Sequence, residues 1–249
     1  MPRIVKEDEY AVRRNEILDA AQRLVYTKGF GQMTIQDILD ELQISKGAFY
    51  HYFDSKHALL EALIERLQAE AEKILIPITQ DTQLSALEKL ERYFATAAQW
   101  KTAQKTYLLA LLRVWYNDDN AIVRQKVFAT AVKRITPLLS VIIRQGIQEG
   151  VLTTPYPDQA GELVLSLIQG LGETYAKMLL SPEAEGGDLQ HIQRTSAAYS
   201  DALERVLGAP PGSVHLIDAA TLEEWFPPQE KLPGVASEAL TEGMRVSEV

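Results

Sequence analysis

The stretch TIQDILDELQISKGAFYHYFDSKHALLEAL, residues 34–63, decides the fold. Thr34 and Ser45 each precede a short segment of helical periodicity, and both are residue types that cap helix N-termini. Only Gln43 and Ile44 separate the first segment from the cap of the second. Two short helices joined by so tight a turn predict a helix-turn-helix, a motif that places its second helix in the major groove of DNA.

The second of these helices presents small and polar residues from its N-terminal end. Gly47 and Ala48 leave room for a close approach to base edges, and the Lys46 ammonium can reach the acceptors of guanine. The hydroxyl of Tyr50 is suited to a phosphate contact, which fixes register without reading sequence. Spacing alone leaves an alternative open, because an ordinary pair of core helices with polar surface residues would have the same pattern.

The rest of the chain also has helical periodicity, and no stretch alternates with the period of two that a sheet requires. Helices are predicted at about 8–28, 34–42, 45–53, 54–77, 84–101, 104–117, 119–149, 157–181, 188–208 and 218–226. Pro137 lies inside one of them and is expected to kink or break it. The sequence therefore predicts an all-α fold, with a three-helix helix-turn-helix domain followed by a larger helical bundle.

The formal net charge of −9 is unusual for a protein that binds DNA, so its distribution matters. Residues 209–249 hold seven acidic and two basic side chains, whereas residues 1–60 hold nine acidic and eight basic ones. Because salt screens charges that are more than about 8–10 Å apart, a distant acidic segment does not prevent a local phosphate contact. The net charge argues against nucleic-acid binding that depends mainly on overall electrostatic attraction. It is compatible with a small DNA-binding motif whose few contacts depend on its geometry.

Other classes of protein find little support in the sequence. The chain has no cysteine, which excludes disulfides and thiolate metal sites, and its four histidines lack metal-ligand spacing. We expect no metal site and no cofactor. The absence of a nucleophile–base cluster or a glycine-rich phosphate loop argues against an enzyme. The sequence has neither a run of about 18 apolar residues nor a signal-peptide core, and we expect a cytoplasmic protein without a membrane partner.

The stretch from Ile17 to Leu63 resembles the DNA-binding module of the TetR family of bacterial transcription regulators. It combines ILDAAQRLVYTKGF with the segment quoted above. The family pattern is a first helix ending in Gly-aromatic, then a capping Thr, then Ser-Lys-Gly-small-aromatic-Tyr-x-x-Phe-x-x-Lys-x-x-Leu. The last part of this pattern is met by Ser45, Lys46, Gly47, Ala48, Phe49, Tyr50, Phe53, Lys56 and Leu59.

The resemblance implies a role for each matching residue. The residues at positions that meet bases are Gln36, Lys46, Gly47, Ala48 and His51. The residues at positions that contact phosphates are Thr34, Tyr50, Tyr52 and Lys56. The chain departs from the pattern at Gln43, because many members of the family have Gly in this turn. If the turn needs a positive φ, Gln43 carries strain of about 1 kcal/mol.

The family also implies a homodimer. The predicted helices 157–181 and 188–208 carry broad apolar faces, and one such pair from each subunit would form an isologous four-helix interface. The residues expected at this interface are Leu163, Leu167, Leu171, Tyr175, Tyr199 and Leu203. The same faces would also suit a purely intramolecular core.

A cavity for a small effector is a further implication of the family. The residues expected to line it are Phe94, Trp100, Tyr107, Arg113, Trp115, Tyr116, Gln169 and Glu173. Core packing is the alternative for each aromatic residue, and a hydrogen-bonded or solvent-facing pair is the alternative for Gln169 and Glu173. The aromatic content of this region favours an apolar or aromatic effector.

These observations divide the chain into three regions with distinct expected roles. We expect a DNA-binding domain at 1–56, a helical ligand-binding and dimerisation domain at 57–208, and an acidic, proline-containing, partly mobile tail at 209–249. Within the tail, Trp225 and Phe226 are expected to dock the one helical segment.

The function expected from the sequence is that of a repressor. It would bind an inverted-repeat operator in double-stranded DNA as a dimer and leave it when a small effector binds. Within the same class, the alternative is an activator or a DNA binder that is regulated by a partner protein. A helical enzyme or small-molecule carrier whose N-terminal segment only mimics the motif is a remote alternative.

Overall fold

The computed structural model describes residues 2–180 and 189–227, with the backbone alone for residues 2–7. Within these residues the chain forms α-helices and no strand, which confirms the all-α prediction. The helices are α1 (Pro2–Lys28), α2 (Ile35–Leu42), α3 (Lys46–Tyr50), α4 (Lys56–Gln80), α5 (Ala86–Ala103), α6 (Lys105–Trp115), α7 (Ala121–Gln148), α8 (Pro157–Leu180), α9 (Leu189–Leu207) and α10 (Ala219–Trp225). A short 3-10 turn, Asp118–Asn120, lies between α6 and α7.

The polar residues around the tight turn begin and end the helices as the sequence predicts. Thr34 caps α2 through a capping box with Asp37, whose backbone N–H donates to the Thr34 hydroxyl over 3.1 Å. The Ser45 hydroxyl caps α3 by accepting the N–H of Ala48 over 3.2 Å. Between the two helices, Gln43 adopts a left-handed conformation with φ of 53°. The turn therefore does need a positive φ, and Gln43 supplies it where glycine would be unstrained.

Several helices extend further than the periodicity predicts. α1 begins as early as Pro2, and α4 continues through Pro77. Pro137, which we expected to kink or break its helix, lies inside α7, and that helix continues without a break. Of the two expected outcomes, the break does not occur, and the burial of Leu139 and Ile142 just beyond the proline helps to hold the helix in place despite the hydrogen bond that proline removes.

Two hydrophobic cores share α4. Core 1 is formed by α1, α2, α3 and the first half of α4, together with Tyr107 and Leu111 of α6. Core 2 is formed by the second half of α4, by α5, α7, α8 and α9, and by the chain that follows α9. α4 contributes Leu67 to core 1 and Leu75 to core 2, so it physically connects the DNA-binding helices α1–α3 to the rest of the body.

The chain after α9 folds back onto the body as far as Pro227. Trp225 donates its indole N–H to the hydroxyl of Thr102 on α5 over 2.8 Å. The ring of Phe226 packs edge-on against Tyr175 of α8, with 5.4 Å between the centroids. Docking through these two aromatic residues is thus confirmed. The remainder of the predicted tail, 228–249, lies outside the described residues.

Candidate DNA-binding surface and effector compartment

Two buried aromatic rings hold α3 in place and leave its other side chains facing outward. Phe49 of α3 and Phe53 just after it are buried in core 1. Lys46, Gly47 and Tyr50 are exposed on the opposite side. The outer face of α3 is therefore polar, and Gly47 leaves one position of it without a side chain.

The open space on this face lies at Gly47, and neither packing nor backbone conformation requires glycine at this position. A Cβ built on Gly47 would meet only the hydroxyl oxygen of Ser45, 3.9 Å away, and its backbone is not in the left-handed region. Gly146 is a contrasting case, because a Cβ there would lie 2.5 Å from Cδ1 of Leu152. The missing side chain at Gly47 leaves open space on the outer face of α3, where a base edge could approach closely.

Two of the predicted DNA contacts are already hydrogen-bonded within the α2 segment. The Thr34 hydroxyl donates to the Asp37 carboxylate over 2.9 Å, and the Gln36 amide donates to the Asp40 carboxylate over 2.7 Å. Thr34 and Gln36 are both exposed. A DNA contact by either side chain would therefore exchange a surface hydrogen bond for one to a base or phosphate.

An aromatic cluster that sequence reasoning missed joins α1 to the end of α3. The Tyr10 ring lies 4.7 Å from the Tyr52 ring and 5.6 Å from the His51 ring between centroids. Tyr52 is half-buried, whereas Tyr50 and His51 remain exposed. The sequence carried no signal for this cluster, because only the packing of α1 beside α3 brings Tyr10 to residues so distant along the chain.

Lys56 folds back onto the turn between α1 and α2. Its ammonium donates to the Gly31 carbonyl over 3.2 Å and lies 4.8 Å from the centroid of the Phe30 ring. Burial lowers the pKa of Lys56, and the negative charge of Asp37 opposes this shift. Lys56 thus stabilises the turn, and a phosphate contact would have to use the same ammonium from its exposed side.

Asp37 is the charged centre of the α2 cap. The Lys28 ammonium donates to its carboxylate over 2.7 Å. Hydrogen bonds from Lys28 and then from Thr34 lower the pKa of Asp37 to about 2. The carboxylate is therefore ionised at neutral pH, where it also interacts favourably with the N-terminal end of the α2 dipole.

The residues predicted to line one effector cavity are divided between the two cores and the surface. Tyr107 is buried in core 1, where Trp100 and Trp115 pack beside it. Phe94 belongs to core 2, and Arg113 is exposed. The structure does not bring this set together, because α6 packs against the DNA-binding helices. Core packing, the alternative for each aromatic residue, accounts for the buried rings of Phe94 and Tyr107.

Three of the predicted residues do lie close to one another, at the end of α6 and along α8. The Gln169 amide donates to the Glu173 carboxylate over 3.1 Å. Burial and then the charge of Glu173 raise the pKa of Tyr116. Arg124 of α7 lies 5.5 Å over the Tyr116 ring. This group combines an aromatic face with a cation and an anion, which suits an aromatic molecule that carries a polar substituent.

Sequence reasoning missed two buried acceptors on α4. Oε1 of Gln68 and Oε1 of Glu72 are buried without a hydrogen-bond donor among the described residues. The other carboxylate oxygen of Glu72 accepts from Arg134 of α7 over 2.5 Å. Burial and then the charge of Glu72 raise the pKa of Tyr93 to about 12. The available signal was the i, i+4 spacing of Gln68 and Glu72, which puts both on one face of α4.

The residues predicted at a dimer interface differ in exposure. Leu171 and Leu203 are buried in core 2 of the chain itself, so the core explains their apolar character. Leu163 is 46% exposed. Three further residues are half-buried: Leu167, Tyr175 and Tyr199. An interface on α8 and α9 would therefore depend on Leu163 and on the uncovered parts of the half-buried residues.

Within residues 2–180 and 189–227, no three acidic or histidine side chains come close enough together to hold a metal ion. None of the described helices has the length and apolar character needed to cross a membrane.

Comparison with known proteins agrees with this arrangement of helices. The family described as "Bacterial regulatory proteins, tetR family" matches residues 17–63, and "Tetracyclin repressor-like, C-terminal domain" matches residues 115–178. An HTH-type transcriptional regulator of Lactococcus lactis is 46% identical over 52 residues, which are 21% of this chain and 26% of that protein. The HTH-type transcriptional repressor NemR of Escherichia coli is 30% identical over 81 residues, which are 32% of this chain and 41% of NemR. The matched stretches thus span less than half of either relative.

Solved structures extend the likeness to the whole fold. A TetR-family transcriptional regulator from Pectobacterium atrosepticum superposes with a TM-score of 0.58 at 18% identity, over 82% of this chain and 98% of that one. At this identity the likeness shows the fold alone. The capped helix-turn-helix, the two family matches and the shared helical body lead to one conclusion. The chain belongs to the TetR family of bacterial helix-turn-helix transcription regulators.

Proposed function

We propose that the chain is a repressor that binds an inverted-repeat operator as a homodimer and is released by a small apolar or aromatic effector. The observation that carries the DNA-binding part is the outer face of α3, where Gly47 leaves open space between the exposed Lys46 and Tyr50. A helix that enters the major groove needs such a face. NemR, a relative at 30% identity, is named as a repressor, which favours repression over activation.

Within this proposal the predicted contact residues divide into those that read bases and those that contact the DNA backbone. Bases are met by Gln36, Lys46, Gly47, Ala48 and His51. Phosphates are contacted by Thr34, Tyr50, Tyr52 and Lys56. DNA binding is assigned to residues 1–56 and effector binding and dimerisation to residues 57–208, in a protein that acts in the cytoplasm.

The test of DNA binding is a selection of random duplexes by the full-length protein, followed by footprinting of the selected sequence. We expect two half-sites in inverted repeat, with a spacing of about 10 base pairs or a multiple of it. Lys46→Ala is expected to relax the preference at one base of each half-site by about 1–3 kcal/mol. Lys133→Ala, an exposed lysine on α7, is the matched control and should change nothing. A selection that enriches no sequence would overturn the proposal.

The effector part of the proposal depends on α4. A ligand lowers operator affinity only if it binds better to the arrangement that cannot bind DNA. Because α4 contributes to both cores, its displacement is the route by which a ligand in the body would move α3. The side-chain oxygens of Gln68 and Glu72 are buried on α4 without a hydrogen-bond donor, which costs about 1–3 kcal/mol of stability for each oxygen. An aromatic effector that carries a hydrogen-bond donor could bind to these oxygens.

Release by an effector is tested with a thermal-shift screen of small aromatic compounds. Operator affinity is then measured with each compound that stabilises the protein. We expect an inducer to lower operator affinity about 5- to 150-fold, which corresponds to a coupling of about 1–3 kcal/mol. Compounds that all stabilise the protein and leave operator affinity unchanged would contradict the release mechanism and leave the DNA-binding part intact.

A further inference from the structure

A buried carboxylate fastens the chain after α9 to that helix. The side chain of Glu204, which is buried, accepts the backbone N–H of Val214 over 2.9 Å and a second N–H two residues earlier over 3.0 Å. The Ser200 hydroxyl then accepts the N–H of Leu216 over 3.4 Å. Residues 209–227, named the clasp below, therefore run back along α9 in a fixed path.

The clasp ends at the junction between α5 and α6. The Trp225 indole N–H donates to the hydroxyl of Thr102, near the end of α5, over 2.8 Å. The ammonium of Lys105, the first residue of α6, donates to the Glu224 carbonyl and lies 5.6 Å from the centroid of the Trp225 ring. The clasp thus contacts both helices, one on each side of Gln104.

Gln104 carries a contact from this junction to the DNA-binding helices. It is the single residue between α5 and α6. Its side-chain oxygen accepts the hydroxyl of Tyr26 on α1 over 3.1 Å. The Tyr26 ring also stacks on Tyr107 of α6, with 5.0 Å between centroids and 27° between planes. Thr102 and Lys105 therefore contact the clasp, while Gln104 contacts α1.

We propose that the clasp fixes the α5–α6 junction and, through the Gln104–Tyr26 hydrogen bond, sets the orientation of α1–α3 relative to the body. Gln104 is then a positioning residue that never touches DNA. A dimer reaches both half-sites of an operator only when its two α3 helices are held at one separation. When the α5–α6 junction is loosened, the two α3 helices adopt a wider range of orientations. The apparent operator affinity then falls in proportion to the fraction of molecules whose α3 helices are still positioned to bind DNA.

The test uses the full-length protein and the duplex obtained by the selection described above, so its readout rests on the proposed function. Trp225→Ala removes the ring that contacts both helices, and Thr102→Val removes only the hydroxyl that receives the indole N–H. We expect Trp225→Ala to lower operator affinity about 5-fold or more, and Thr102→Val to lower it less. Glu223→Ala, exposed on α10, is the matched control and should leave affinity unchanged.

Tyr26→Phe separates this coupling from general destabilisation. It keeps the stack on Tyr107 and removes the hydrogen bond to Gln104. If the clasp acts through that bond, Trp225→Ala causes little further loss of operator affinity in the Tyr26→Phe protein. Additive losses, or an unchanged or raised affinity for Trp225→Ala alone, would overturn the proposal. A wild-type protein that binds no DNA would instead overturn the proposed function, and this inference with it.

Discussion

At the scale of single residues, Gly47 separates a role in DNA contact from a role in packing. Gly47→Ala places a methyl group in open space, because the nearest atom to the new Cβ is 3.9 Å away. Alanine favours a helix over glycine by up to about 1 kcal/mol, so we expect the free energy of unfolding to stay constant or rise. Operator affinity should fall, because the methyl group occupies space that a base edge requires. Thermal unfolding and a DNA titration measure the two effects.

Gly146→Ala is the contrasting variant. Its new Cβ would lie 2.5 Å from Cδ1 of Leu152 and 3.1 Å from Cβ of Ala86, so we expect a lower melting temperature. The operator affinity of the folded protein should change little, because Gly146 lies in the body. If Gly47→Ala bound the operator as tightly as the wild type, the open face of α3 would not be a DNA-contact surface.

The pKa of Asp37 makes the α2 cap sensitive to acid. This pKa is about 2 in the folded chain, compared with an ordinary value of 3.8. Because the unfolded chain binds this proton more tightly, Asp37 stabilises the fold above about pH 4 and loses that contribution as the pH falls toward about 2. We expect the difference in unfolding free energy between wild type and Asp37→Asn to shrink over this range. Urea unfolding at several pH values measures it, and a difference independent of pH would contradict the assignment.

Lys56 has a structural contact and a proposed DNA contact that use the same ammonium. Lys56→Met keeps the apolar stem against Phe30 and removes the charge. We expect weaker binding to every DNA sequence, with the slope of log affinity against log salt reduced by about one. The same titration on Lys133→Ala, on the surface of α7, is the control. A salt slope equal to that of the wild type would leave Lys56 with only its role in the turn at Gly31.

At the scale of elements, the capped N-termini of helices could be predicted from the sequence but the packing partners of the helices could not. Thr34, Ser45 and Asp218 all cap helices, because capping is a contact between residues three positions apart. Periodicity shows which face of a helix is buried and not what covers it. For this reason the packing of Tyr107 into core 1 and the contact of Tyr10 with the end of α3 had no sequence signal.

The same limit changes which residue best tests the proposed dimer of α8 and α9. Leu203 is buried in the chain, so a charge there would unfold the body whether or not a partner is present. Leu163 is 46% exposed, and Leu163→Glu should favour monomers with little loss of stability. Val141→Glu, 52% exposed on α7, is the matched control. Sedimentation would measure the oligomeric state, and a stable wild-type monomer at micromolar concentration would remove the interface from the proposal.

At the scale of the whole molecule, a candidate DNA-binding surface could be outlined from the sequence because its proposed residues lie close together along the chain. Which side chains meet within the helical body could not be predicted, because that depends on proximity between distant helices. Glu72 of α4, for example, reaches Arg134 of α7 only after these two helices have packed together. The sequence places aromatic residues on several helices of the body and could not show which of them belong to the core.

Ion pairs join α4 to the DNA-binding helices on one side and to the body on the other. Glu72 pairs with Arg134 of α7 over 2.5 Å, and Arg66 pairs with Asp19 of α1 over 2.5 Å. An effector in the body can change operator affinity only through an element whose equilibrium both sites bias. Weakening the ion pair between α4 and α7 should therefore reduce the coupling between the two sites and leave the affinity of the effector-free protein for the operator nearly intact.

Arg134→Gln tests this expectation because it removes the charge and keeps a hydrogen-bond donor near Glu72. Operator affinity is measured with and without the aromatic compound found in the thermal-shift screen, and calorimetry gives the affinity for that compound. We expect the saturating compound to reduce operator affinity less than it does in the wild type, while calorimetry reports any change in the affinity for the compound that follows from the contact of Arg134 with Glu72. Arg144→Gln is the control, because Arg144 pairs with Asp158 of α8 over 3.2 Å and does not involve α4. Equal coupling in Arg134→Gln and the wild type would mean that the compound acts on α1–α3 by a route that bypasses this ion pair.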